Sequence, residues 1–223
     1  RNVDKIRELG LTLEEPEAIS VPGIRELPLT LECKVIYKQD QDPAAIAKEN
    51  DILLIVDEVQ TGNGRTGELY GYMNYGITPD IVTTAKGLGG GLPIGACLMG
   101  EKTELSLGPG KHGSTFGGNP AACAGALNVL SRIDGELLRS VREKSDYIFR
   151  SLGGKKGIVN VTGLGLMIGI KTEKDAGEVI ARLREKGILA IKAKDKVRLL
   201  PALNIPMELL ERSIAAIIEI AGE

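Results

Sequence analysis

The sequence predicts an α/β layer followed by a small α+β domain, and three observations carry that expectation. Short apolar runs end in polar residues at strand-like lengths. Helically periodic segments with capping residues follow them. A carboxyl-terminal stretch then mixes paired strands with two amphipathic helices. At 223 residues there is room for one large domain or two small ones.

Residues 1–50 are charged, dotted with proline and poorly periodic, apart from LPLTLECKVIY (27–37), whose alternation predicts a strand. From Asp51 the pattern becomes regular. ILLIVDE (52–58) is a continuous apolar run ending in acids, which predicts a parallel strand buried on both faces; DIVTTAK (80–86) and IGACLMG (94–100) predict two more. Asn119 is the expected N-cap of the next helix, with Pro120 at its first position and small residues that let it lie close to a sheet. A second helix follows, with Leu137, Val141, Ile148 and Leu152 on one face.

GIVNVTGLGLMIGI (157–170) predicts paired strands around Gly163 and Gly165. Ala176, Val179, Ile180 and Leu183 then give a helix closed by Gly187. Short strands are expected at 188–191 and 197–200. The last helix carries Met207, Leu210, Ile214, Ile217 and Ile218. The expected division is an atypical segment over 1–50, a partial α/β domain over 51–154 and a small α+β domain over 155–223.

Composition excludes several functions. A formal net charge of -2 gives no electrostatic pull toward nucleic acid or acidic membranes, and aromatic residues at 3% make no stacking platform for single strands. Cys33, Cys97 and Cys123 are odd in number and lack CxxC spacing, which reads as reduced thiols in a cytoplasmic protein. One histidine, His112, cannot build a histidine-rich metal site, so no metal is expected. No signal peptide and no bilayer-length apolar run is found.

The chemistry gathers at two strand ends. Asp57 and Lys86 each close an apolar run, and ligands in open α/β sheets bind beyond the carboxyl ends of strands. An acid and an amine meeting in one crevice suit pyridoxal 5'-phosphate. Its aldehyde needs a lysine, and its pyridine nitrogen needs a carboxylate to stay protonated so that the ring acts as an electron sink. The glycines after Lys86 would let backbone approach such a cofactor closely. On spacing alone other readings stay open. The run ending in Asp57 and Glu58 also resembles a Walker B strand, although no P-loop accompanies it. GNGRTG (62–67) matches the dinucleotide fingerprint without its helix or its later acid. Asp57 as a helix cap and Lys86 as a solvated loop residue are the plain structural alternatives.

Two longer stretches carry a resemblance. LLIVDEVQTGNGRTGELYGYMNYGITPDIVTTAKGLGGGLPIGA and PGKHGSTFGGNPAACAGALNVL, with VTGLGLMIGI and VRLLPALNI, closely resemble class III aminotransferases of the acetylornithine/ornithine branch, from about Asp51 to the end. The resemblance implies the carboxyl-terminal part of a fold-type I pyridoxal-phosphate transferase. It implies that Lys86 carries the cofactor as a Schiff base and later moves the substrate proton. Asp57 would pair with the pyridine nitrogen, Val59 would pack on the ring, and Gln60 would hydrogen-bond the ring hydroxyl. Ser114 and Thr115 match the segment that reaches the cofactor phosphate of a partner subunit, which implies a homodimer. Arg198 matches the arginine that grips the substrate α-carboxylate, while Arg65 is assigned a structural role.

The implied reaction moves the amino group of acetylornithine, or a related ω-amino donor, to 2-oxoglutarate, in arginine biosynthesis. Members of the family are nearly twice this length, and the phosphate loop, ring-stacking aromatic and upstream glutamate of their first half find no match in residues 1–50. Residues 3–23 instead resemble the start of RidA-like enamine deaminases, and residues 24–46 resemble a strand segment of flavin reductase-like domains. The alternative expectation is therefore a catalytically inactive, truncated or composite remnant acting at most as a binding module.

Overall fold

The computed structural model describes residues 43–223 together with the two short strands β1 (Leu13–Glu14) and β2 (Gly23–Ile24). The strand expected over 27–37 and most of the two stretches likened to other families lie outside the described residues. The chain divides into two units, Arg1–Pro43 and Ala44–Glu223. In the first, β1 and β2 pair antiparallel.

The second unit holds two sheets. The smaller has the order β3 (Ile55–Asp57), β4 (Ile81–Thr84), β5 (Ala96–Met99). Strands β3 and β4 run parallel, with Asp57 opposite Thr83, as the apolar runs predict. Two parts of the expectation are corrected. Strand β5 is antiparallel to β4, with Thr83 opposite Cys97. The connection over 85–95 falls short of the dozen or more residues that a parallel crossover needs, so the chain can only double back.

The second correction concerns burial. Strand β3 and the run leading into it are not fully covered: Ile52, ahead of the strand, is 50% exposed and Ile55, in it, 36%. Among the described residues no strand pairs with the free side of β3.

The larger sheet, β6 (Ile158–Leu164), β7 (Met167–Thr172), β9 (Lys196–Leu199) and β8 (Ile191–Ala193), is wholly antiparallel in that spatial order. The strand expected over 197–200 is β9, whereas β8 begins only at Ile191, where the strand expected over 188–191 was to end; the two form a hairpin. Helix α2 (Pro120–Leu130) begins where expected: Asn119 Oδ1 accepts from the amides of Ala121 and Ala122 at 3.0 and 3.2 Å. Helices α3 (Gly135–Leu152), α4 (Ala176–Glu185) and α5 (Met207–Gly222) build the core with the larger sheet; α1 is the short helix Pro43–Glu49.

The helical spacing read from the sequence selects most of the buried faces, although Met207, expected on the face of α5, is 37% exposed. Val141, Ile148 and Leu152 of α3, Val179 and Leu183 of α4, and Ile214, Ile217 and Ile220 of α5 are all fully buried. Burying one such side chain stabilises the fold by about 1.5–3 kcal/mol, so this core dominates the stability of residues 135–222.

The turn joining β6 to β7 explains one glycine. Gly165 has φ 56, and a Cβ there would stand 2.4 Å from the carbonyl oxygen of Arg65. Only glycine allows both the left-handed turn and that approach. The larger sheet thereby closes against the loop between β3 and β4.

Candidate active site

The site forms where β3 and β4 end side by side. Side chains alternate across a strand, so adjacent acids at its end part company. Asp57 is exposed, and its Oδ1 accepts from the amide of Val59 at 2.9 Å, which turns the chain out of the strand. Glu58 is 1% exposed. Its carboxylate accepts from Thr61 Oγ1 at 2.5 Å and from the amides of Gly71 and Tyr72 at 2.9 and 2.8 Å. Those three bonds satisfy a buried charge and fold the 58–72 loop around it. The sequence reading gave Glu58 no role; the available signal was its place next to Asp57 on the opposite face.

Asn63 was also missed as a residue of interest. It has φ 56 and is 7% exposed, and its Nδ2 donates to Thr84 Oγ1 at 3.1 Å and to the carbonyl of Ala85 at 3.2 Å. This clamp holds the last turn before Lys86, which itself adopts φ 50. A left-handed lysine costs on the order of 1–3 kcal/mol, strain that the surrounding hydrogen bonds have to sustain. Asn63 Oδ1 is a buried side-chain atom without a hydrogen-bond partner. An asparagine between two glycines was the signal that could have marked the turn.

Lys86, Val59, Gln60 and Arg198 line one cleft of about 1140 Å³, which also takes in Asn63, Arg65 and Arg132. Its charged lining side chains are all cationic: Arg65, Lys86, Arg132 and Arg198. Gln60 and Lys86 are exposed to solvent, and Arg198 is half-buried. Asp57 lies on an adjoining hollow of about 640 Å³, and Arg198 lines both spaces. Arg198 Nη2 donates to Gln60 Oε1 at 2.5 Å.

Ser114 and Thr115 are not brought to this cleft. Both are exposed in a turn in which the amide of Gly117 donates to the carbonyl of Ser114, and Ser114 lines a separate depression beside Pro93, Ile94 and Asn119. His112 is exposed in the same loop. Among the described residues no three His, Cys, Asp or Glu side chains gather as metal ligands would, and no helix is long and apolar enough to cross a membrane.

Two cations fasten the rim. Arg65 Nη1 donates to the carbonyls of Leu166 and Pro201 at 3.1 and 2.6 Å, and burial lowers its pKa. Lys144, 8% exposed on α3, donates to the carbonyl of Leu203 at 2.9 Å, and burial lowers its pKa as well.

The family described as aminotransferase class III matches residues 40–221. Its pattern therefore begins upstream of Asp51. The chain is 42% identical to the acetylornithine aminotransferase of Haemophilus ducreyi over 193 residues, which are 86% of this chain and 49% of that relative. Against the acetylornithine aminotransferase of Aquifex aeolicus it is 46% identical over 176 residues, covering 78% and 46%. Among solved structures, the ornithine delta-aminotransferase of Plasmodium falciparum superposes with a TM-score of 0.73 at 34% identity, covering 80% of this chain and 49% of that one. The acetylornithine aminotransferase of Elizabethkingia anophelis gives a TM-score of 0.73 at 32% identity, covering 79% and 47%. The chain thus spans about half the length of the relatives it matches.

Proposed function

The chain belongs to the class III aminotransferases, enzymes that depend on pyridoxal phosphate, and from that premise we propose that it supplies the lysine-bearing half of an acetylornithine-type active site. One observation carries the reading: Lys86, Val59, Gln60 and Arg198, from three separate segments, line one cleft.

The residues present fit the cofactor. A primary amine stands in a cleft roomy enough for a ring and a substrate, an unpartnered amide oxygen of Asn63 faces no protein donor, and a carboxylate ends the neighbouring strand. When bound, pyridoxal phosphate supplies an electron sink that lets the carbon bearing the amino group give up a proton.

The protein's own contributions follow from position. Lys86 would hold the cofactor, and its amine would accept and return the substrate proton. Asp57 would keep the pyridine nitrogen protonated. Val59 packs on the ring. Gln60 has its Oε1 engaged by Arg198, which leaves Nε2 to donate to the ring hydroxyl. Arg198 grips the α-carboxylate as a two-pronged donor. Ser114 and Thr115, away from the cleft of their own chain, serve the cofactor phosphate of a partner subunit in a homodimer.

The donor in this reading is acetylornithine or a related ω-amino compound and the acceptor is 2-oxoglutarate, in cytoplasmic arginine biosynthesis. Residues 51–154 act as the cofactor layer and 155–223 as the smaller domain that delivers Arg198.

A second reading rests on the partly exposed apolar side chains Ile52, Leu53 and Ile55. In it the chain keeps the lysine without holding the cofactor and acts as a binding module. Gel filtration of the purified chain after mixing with pyridoxal phosphate separates the two. A retained yellow band that borohydride fixes onto Lys86 supports the first reading; a colourless protein supports the second.

A further inference from the structure

We propose that Arg65 is the positioning residue for Arg198, tying the arm that carries it to the loop that carries Gln60. The proposal rests on the reading of Arg198 as the carboxylate-binding arginine, and extends it to a residue assigned only a general structural role.

Arg65 lies five positions after Gln60 in the connection from β3 to β4, and this loop is internally fixed by Glu58 at one end and Asn63 in its middle. Its Nη1 bonds the carbonyls of Leu166 and Pro201. Leu166 immediately precedes β7, and Pro201 lies just beyond the end of β9. Those two strands are neighbours, with Gly169 paired to Arg198 and Ile168 to Leu199. One guanidinium nitrogen therefore clasps both strands at the end where Arg198 emerges.

The grip is reciprocal. The amide of Leu166 donates to the carbonyl of Arg65 at 2.9 Å, and Gly165 brings its backbone close against the Arg65 and Thr66 main chain. Arg198 then meets Gln60 from the far side of the same cleft. A planar guanidinium suits this task because its donors are fixed relative to one another, so both carbonyls are held at a set separation. Lysine has donors on a flexible stem and no such fixed fork.

The test is the side-chain Nε–H nuclear magnetic resonance signal of Arg198, assigned by its disappearance in Arg198→Lys. Gln60→Ala defines its position when the contact with Gln60 is lost. Arg65→Met is expected to move the Arg198 signal toward that position, and Arg65→Lys part of the way. The signal of Arg182, which pairs with Glu223 at 2.5 Å far from the clasp in sequence, is expected to stay in place and so excludes general loosening. An Arg198 signal unmoved in Arg65→Met overturns the proposal. If that variant does not fold, an unmoved signal in folded Arg65→Lys does the same. Equal movement of the Arg182 signal also overturns it. Cofactor capture by Lys86, followed in the same samples, reports separately on the aminotransferase reading.

Discussion

Arg198 and Gln60 stand 138 positions apart in sequence and meet through a 2.5 Å hydrogen bond from guanidinium to amide oxygen. One residue comes from the strand β9 of the larger sheet, the other from the loop after β3 of the smaller. Their contact is one direct link across the cleft that Lys86 lines.

On the proposed reading, in an assembly that turns over, Arg198→Ala is expected to raise KM for 2-oxoglutarate, whose α-carboxylate adjoins the reacting keto carbon. Loss of a charged hydrogen bond worth about 1.5–3 kcal/mol corresponds to roughly a 10- to 150-fold rise. Steady-state kinetics with each substrate varied in turn checks this. An unchanged value for 2-oxoglutarate would remove Arg198 from the site.

Lys86→Ala is expected to leave no cofactor fixed by borohydride, because no other amine of the cleft can take its place. Asp57→Asn is expected to retain cofactor weakly with activity lost, since a neutral amide cannot hold the ring nitrogen protonated. Absorption after gel filtration and peptide mapping read both. An active Lys86→Ala protein would sink the assignment.

Ile217→Ala is expected to destabilise the carboxyl-terminal region by about 2–5 kcal/mol, because its side chain is fully buried in the hydrophobic core. Urea unfolding followed by circular dichroism measures the change. A loss below about 1 kcal/mol would show that the surrounding core collapses into the space.

Asp175 caps α4 through the amide of Gly177 at 2.7 Å and pairs with Lys192 at 3.0 Å. The hydrogen bond from Lys192 is the largest cause holding its carboxyl below the ordinary 3.8, followed by that from Gly177. A lowered folded value means the stabilisation is fully present above 3.8 and disappears as pH falls through the folded value. The urea midpoint of Asp175→Asn is therefore expected to lie below wild type near neutral pH, with the gap narrowing below pH 3.8. A gap independent of pH would assign the effect to the cap's shape alone.

Much of the larger sheet and its helices was legible in the sequence. Spacing in Val141–Ile148–Leu152 and in Ala176–Val179–Ile180–Leu183 marks both the element and its buried face, because a helix presents every third or fourth residue to one side. Asn119 and Pro120 marked a helix start by local hydrogen bonding. Asp57 and Lys86 could be placed at strand ends because apolar runs stop there, and the long motifs around them identified the family.

The sequence by itself determined what local physics encodes: which segments become helices, which runs become strands, and which residue types wait at their ends. The tertiary structure alone decided that β5 runs antiparallel, that β3 is only partly covered, and that Glu58 turns inward while Asp57 faces out. It also decided that Ser114 and Thr115 stand apart from Lys86, and that Arg65 clasps Leu166 and Pro201. The physical reason is reach. Periodicity and capping act over a few residues, whereas pairing direction, burial and cross-cleft hydrogen bonds depend on which distant segment arrives to complete them.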